Sequence, residues 1–351
     1  MKEWTKVRVV IGAVIAAAAF AAPAPAAEAG GQGCFGVPTT ILGDDRGGDE
    51  IVGTPGNDVI NTYGGDDVVD GGGGNDLICT GQGNDRVTGG AGNDRILGGK
   101  GDDELIGDFR DTAVPGTDDD FIRAGGGDDL VVGDVLSEVS DASGSGRDDL
   151  HGGGDSDLVV GDASSAMSAT GTGADEVHGG GGRDEIVGDA RARLNASGGG
   201  RDYMRGEFGA DLMVGDGHAL GAGVASGAAA DTVIGDDDSD YTIGDNLSHT
   251  GDATGAANDE VGGGKARDEM VGDSVAGGKA SGGGGHDRMQ GGHDGDTMWG
   301  DHRGDGGGGG PDEIRGGAGP DRLKAGPGKD LCKGGGARDH GKSCEKKTRM
   351  P

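Results

Sequence analysis

Seven aspartates, Asp49, Asp58, Asp67, Asp76, Asp85, Asp94 and Asp103, follow one another at intervals of nine residues. Two positions after each stands an apolar residue: Ile51, Ile60, Val69, Ile78, Val87, Ile96 and Leu105. A full glycine frame precedes several of them, as in Gly89-Gly90-Ala91-Gly92-Asn93-Asp94 and Gly98-Gly99-Lys100-Gly101-Asp102-Asp103. The unit is G-G-x-G-x-D-x-U-x, with U apolar. Glycine adopts backbone conformations with φ > 0 that other residues resist, so the six-residue half can wrap closely with its carbonyls turned inward. Carbonyls and a carboxylate at each turn are the donor set of a hard cation such as calcium, which takes about six to eight oxygen ligands. The candidate ligands are Asp58, Asp67, Asp76, Asp85, Asp94, Asp103, Asp129, Asp157, Asp184, Asp211, Asp287, Asp296, Asp312, Asp321 and Asp330. Gly56, Gly74, Gly83, Gly92 and Gly101 are the glycines expected to aim carbonyls at the ions.

The remaining three residues of the unit, x-U-x, make a minimal strand with one side chain facing a thin interior and its neighbours facing water. After Asp103 the units come in pairs, such as Asp120/Asp129, Asp148/Asp157, Asp175/Asp184, Asp231/Asp240 and Asp287/Asp296, with 16 to 20 residues between pairs. Each gap opens with Gly-Asp, as at Gly133-Asp134, Gly161-Asp162 and Gly188-Asp189, and continues in Ala, Ser and Gly. Alternation in Ala190, Ala192, Leu194 and Ala196 fits short strands that widen the structure on one side; a looped-out insert fits equally well. A last uninterrupted run carries Asp312, Asp321, Asp330 and Asp339. The organisation expected is a signal peptide over 1–29, a cap over 30–48 and uninterrupted repeats over 49–107. Paired repeats with inserts then cover 108–301, further repeats with a disulfide cap cover 302–344, and a basic tail covers 345–351.

These units resemble the haemolysin-type calcium-binding repeat family, also called RTX repeats, over about residues 44 to 340. The resemblance implies an all-β parallel β-roll, or β-solenoid, with two nonapeptides per coil and calcium held between stacked turns. Asp58 would then lie beside Asp76, Asp67 beside Asp85, Asp76 beside Asp94, and Asp85 beside Asp103. Asp155 and Ala266 replace the third glycine of their frames, and Gly235-Asp236-Asp237-Asp238-Ser239-Asp240 departs furthest. Ligation is expected to be weaker there. In the family such repeats often accompany a protease, lipase or toxin domain, and the repeats leave no stretch here for one.

Composition agrees with a metal-dependent fold. Of 351 residues, 86 are Gly, 63 are Asp or Glu and 30 are Lys or Arg, for a formal net charge of −33. Burying one apolar residue per repeat yields roughly 1.5–3 kcal/mol. Ordering nine residues costs about 1.5 kcal/mol each. Unneutralised carboxylates worsen the balance, so folding is expected to depend on calcium. The acidity argues against nucleic acid and anionic membranes as partners. The N-terminal stretch has a basic start (Lys2, Lys6, Arg8), an apolar run from Val9 to Ala22 and small residues around Ala26 and Ala29. That is the pattern of a secretory signal peptide, and the run is too short to span a membrane. Four cysteines in an exported chain suggest two disulfides, with pairing inside each end (Cys34 with Cys79, Cys332 with Cys344) favoured because solenoid ends need closing.

Other motifs carry less. The G-x-G-x-x-G matches open no helix after a strand. Asp236, Asp238 and Asp240 imitate an EF-hand start, but Tyr241 stands where that loop requires Gly. His286, His293 and His302 are read as solvent-facing turn residues rather than a zinc or nickel site. No G-x-S-x-G elbow is present. The reading is an exported, non-enzymatic calcium-binding β-solenoid that serves as a structural or surface-interaction module, with any cell-surface or matrix partner open. A disordered polyanion with weak calcium buffering, an ice-binding solenoid and a secreted hydrolase are the rivals.

Overall fold

In the computed structural model, residues 33–45 and 47–344 are described, together with the strand backbones of 9–11 and 346–348. The signal-peptide and basic-tail segments therefore lie outside the described residues, apart from Val9–Ile11, which pairs with Glu50–Val52, and Lys346–Thr348, which pairs with Leu331–Lys333. Among the described residues every regular element is a strand. None is a helix long and apolar enough to cross a membrane.

The period of nine becomes a solenoid with two strands per coil. One 14-stranded parallel sheet takes the U-strands of alternate nonapeptides, and a second 14-stranded parallel sheet takes the others. Between residues 50 and 106 each strand meets the one eighteen residues on, as in Val59↔Leu77, Ile60↔Ile78 and Val68↔Arg86. The U residues Ile51, Ile60, Val69, Ile78, Val87, Ile96 and Leu105 all point between the two sheets and form one continuous apolar file. Apart from Asn61 and Ile106, their strand neighbours are exposed or half-buried, because side chains alternate along a strand.

In the middle of the chain the inserts are strands rather than looped-out segments. They build a third parallel sheet with an outgoing and a returning arm. The outgoing arm includes Val135–Ser137, Ala163–Ser165 and Ala190–Ala192. The returning arm includes Ala142–Ser143, Ala169–Thr170 and Ala196–Ser197. Val275–Ser281 contributes to both arms and joins them. Coil-to-coil offsets rise accordingly, to 27 for Leu150↔Val177.

The inserted lobe has its own core of small residues: Ala142, Ala163, Ala169, Ala190, Ala192 and Ala196 are all buried. Alanine suits two arms that lie close together. Of the alternating residues noted in the sequence, Leu194 is the exception, 46% exposed at the outer bend.

The lobe also changes the fate of the residue after U. In the uninterrupted run that place holds Val52, Asp70 and Thr88, and Val52 is 40% exposed. In the widened coils it holds Ile106, Val132, Val160 and Val187, each fully buried against Leu136 or its neighbours. Each end carries a disulfide, Cys34–Cys79 with Cα atoms 5.6 Å apart and Cys332–Cys344 with 5.8 Å. Both pairings are those favoured from the sequence.

Candidate metal centre

The turns between the two main sheets place every sixth-position aspartate on one of two edges. Along each edge the carboxylates form a ladder. Asp58 N–H donates to Asp76 Oδ1 at 2.7 Å, Asp76 N–H to Asp94 Oδ1 at 2.7 Å, and Asp94 N–H to Asp120 Oδ1 at 2.7 Å. On the other edge Asp67 N–H donates to Asp85 Oδ1 at 2.8 Å, Asp85 to Asp103 at 2.9 Å and Asp103 to Asp129 at 2.7 Å. The expected stacking of Asp58, Asp67, Asp76 and Asp85 on partners one coil away is therefore present.

One carboxylate oxygen is spent on this bond. The other, Oδ2, has no hydrogen-bond partner among the described residues at Asp76, Asp94, Asp103, Asp129, Asp157 and Asp184, and each of these residues is at most 3% exposed. Leaving a buried acceptor unmade costs about 1–3 kcal/mol, and more when it is charged. Burial pushes the carboxyls of Asp76, Asp94 and Asp103 up to about 7, against the pull of the donating N–H of the preceding coil. A cation beside Oδ2 removes both costs.

The glycine frame sets this geometry. Gly90 and Gly92 have φ of +110° and +114°, and a Cβ on Gly90 would run into the Gly72 carbonyl of the coil before. Gly89, first in the frame, lies directly under the Asp94 carboxylate, where a Cβ has no room. An oxygen-lined turn with one free buried carboxylate oxygen fits calcium.

Gly74, Gly83 and Gly101 repeat the left-handed conformation of Gly92. Gly56 does not: it lacks a positive φ, its Cβ direction is open, and Asp58 Oδ2 accepts from Thr54 N–H at 2.6 Å. The first turn of the array is thus closed locally.

Candidate ligands further along lie on the same ladders. Asp157, Asp184 and Asp211 continue one edge, and Asp240 joins it, Asp211 N–H donating to Asp240 Oδ1 at 3.0 Å and Asp240 N–H to Asp268 Oδ1 at 3.0 Å. Asp287, Asp312 and Asp330 continue the other edge, while Asp296 and Asp321 lie on the first. The departing frame before Asp240 keeps the backbone shape, with Asp236 at φ 76° and Asp238 at φ 72° in the glycine places.

Sequence reasoning missed a third file of carboxylates. The Gly-Asp residues Asp108, Asp134, Asp162, Asp189, Asp216, Asp245 and Asp273 are all fully buried. Their place after two apolar residues and a glycine, as in Val131-Val132-Gly133-Asp134 and Val159-Val160-Gly161-Asp162, with Thr242 the one polar exception before Asp245, was the available signal. His302 also departs from expectation. Its side chain is 1% exposed rather than solvent-facing, and its Nδ1 accepts from Ser274 N–H at 3.2 Å. Buried among the insert strands, it does not share the exposed positions of His286 and His293.

The RTX calcium-binding nonapeptide repeat (4 copies) matches the chain over residues 44–78, 80–109, 106–135, 143–165, 169–190, 196–217, 279–301 and 306–340. The chain belongs to this family. Its repeats bind multiple calcium ions, and the parallel solenoid is the β-roll expected for such RTX repeats. No curated protein matches the chain. The RTX matches leave out residues 218–278, the stretch that contains the departing frames at Asp236–Asp240 and Ala266, although the aspartate ladder runs through it.

Proposed function

We propose that this RTX protein is exported, folds on binding calcium, and acts as a structural or surface-interaction module without catalysis. One observation carries the reading: along both edges, buried aspartates hold one oxygen on a backbone N–H, and the other has no hydrogen-bond partner among the described residues. In this reading Asp67, Asp76, Asp85, Asp94, Asp103 and their successors on the two ladders are the charged ligands. The glycine-frame carbonyls supply neutral oxygens, and calcium neutralises the files.

The thin apolar file supports the dependence on metal, because one buried U residue per nonapeptide offsets little of the ordering cost. Export rests on the basic start, the apolar run and the small residues of the N-terminal segment. Two disulfides agree with an oxidising compartment.

Circular dichroism during a calcium titration of the mature chain tests the reading. Coil-like spectra in chelator and β-structure in calcium are expected, with site affinities on the order of 10⁻⁴–10⁻³ M as for extracellular modules. A full β-spectrum with a cooperative melt in chelator overturns it.

A further inference from the structure

The inserts lie inside the nonapeptide turns of one edge. In an ordinary turn, Gly89 packs under the Asp94 carboxylate and against the Gly107 carbonyl. Gly133 packs in the same way under the Asp148 carboxylate and against the Gly161 carbonyl, although fifteen residues now separate the glycine from its aspartate. Gly146-Arg147-Asp148 preserves the closing G-x-D, so Asp134 stands where the second glycine, Gly90, stands in the short turn. The widened turn has exchanged a tight loop of carbonyls for a carboxylate.

That carboxylate is held in place. Asp134 Oδ2 accepts from Gly146 N–H at 3.0 Å and Asp162 Oδ2 from Gly173 N–H at 2.8 Å. In both residues Oδ1 is left without a partner, as is Oδ2 of Asp148. Asp134 and Asp162 are fully buried and Asp148 is 2% exposed. One ligand oxygen from each of the three lies within 4.8 Å of the other two. Asp134 also abuts the carboxylates of Asp108 and Asp162 in the neighbouring coils.

Three anionic oxygens converging in a dry site repel one another strongly unless a cation or shared protons intervene. The donors are all oxygen, with neither imidazole nor thiolate among them, which selects a hard divalent ion over zinc or copper.

We propose that the widened coils bind a second line of divalent cations, seated between the Gly-Asp carboxylates and the aspartates that close the expanded turns, with Asp134, Asp148 and Asp162 as one rung. This edge differs from the nonapeptide edge in charge. Each widened coil supplies one Gly-Asp and one closing aspartate to it, enough to balance one divalent ion per coil, whereas a short turn supplies one. The inference rests on the calcium reading above, but adds the Gly-Asp carboxylates, which lie outside the nonapeptide signature, to closing aspartates such as Asp148 that belong to it.

The test is the number of calcium ions bound by the full mature chain, native and with Asp134→Asn, Asp162→Asn and Asp189→Asn combined. Asparagine keeps a carbonyl oxygen for the turn N–H and removes the charge. Equilibrium dialysis should show about three fewer ions per chain, one for each altered coil, if one divalent ion balances each carboxylate pair. An unchanged count overturns the proposal and leaves the nonapeptide sites standing. Absence of binding in the native chain overturns both readings. Should the triple variant fail to fold, crystals of the native chain soaked with terbium decide the matter. An anomalous peak among Asp134, Asp148 and Asp162 supports the second line, and peaks confined to the nonapeptide turns sink it.

Discussion

The run from Glu50 to Ile106 and the widened coils from Gly107 to about Asp301 share two sheets and two aspartate ladders, and their U residues form one apolar file as far as Val233, beyond which the buried Thr242 separates it from a second file that starts at Val261. They differ in what covers the residue after U and in how one edge is closed. In the first region that residue is exposed or half-buried at Val52, Asp70, Cys79, Thr88 and Leu97, and the turns are short. In the second an alanine-lined lobe buries Val132, Val160 and Val187 and brings in a third file of aspartates. The comparison shows that a nonapeptide turn can be opened between its first glycine and its closing G-x-D without breaking the ladder. Apolar burial and buried charge rise together, and their balance decides how the two regions respond to calcium.

The largest effect should follow from removing the metal. A widened coil gains one buried Val or Ile, worth about 1.5–3 kcal/mol, and smaller amounts from alanine. It also gains a buried carboxylate whose uncompensated desolvation costs several kcal/mol. Charge wins, so both regions should unfold in chelator despite the extra core. Hydrogen exchange in EGTA should show protection lost across both. A middle region that stays protected would mean that the alanine lobe folds by itself.

Next in size are single ligands. From sequence, Asp94 outranks Asp240, because glycines surround one and aspartates the other. The geometry removes the ground for that ranking, since Asp240 gives and receives the same ladder bonds as Asp94 and its carboxyl is pushed by burial up to about 8. Asp94→Ala and Asp240→Ala should therefore raise the calcium midpoint of folding by comparable factors and each lower the bound stoichiometry. Calorimetry on both variants checks this, and an effect confined to Asp94 restores the sequence ranking.

Much of this was legible beforehand. Nine-residue spacing with an apolar residue two places on yields the short strands and the U file, while the two-unit coil and its stacking partners came from the resemblance to RTX repeats. The insert was not legible to the same degree. Its alanines and serines have no strong strand preference, and only the other arm and the next coil make them strands. Asp134 and Asp162 escaped for a related reason: Gly-Asp is ordinary turn chemistry until the lobe folds over it. His302 was misread because burial by the lobe cannot be inferred from its place in the repeat.

A smaller contrast concerns the residue after U. Val187→Ala removes two buried methylene equivalents beneath the lobe and should destabilise the calcium-loaded protein by roughly 1–3 kcal/mol. Val52→Ala, at the same repeat position but 40% exposed, should stay within about 0.5 kcal/mol. Denaturant unfolding in saturating calcium measures both. Equal effects would mean that the lobe does not seal this position in solution.

The smallest expected change has the opposite sign. Ala266 takes the place of the third glycine in its frame, with φ at 66°, where an L-residue costs roughly 1–2 kcal/mol. Unlike aspartate or asparagine, alanine has no side-chain oxygen to offset that strain by a local hydrogen bond. Replacing it with glycine relieves the strain but enlarges the entropy of the unfolded chain, a cost of about 0.4–1 kcal/mol. The balance favours Ala266→Gly by roughly 0.5–1 kcal/mol. Calcium stoichiometry should not move, because Asp268 already accepts from Asp240 N–H at 3.0 Å and its turn has the required shape. A rise in the number of bound ions would show that the alanine turn is not formed in the native protein and that the glycine creates a site. A fall in stability would show that the left-handed conformation at Ala266 is not the one the chain adopts.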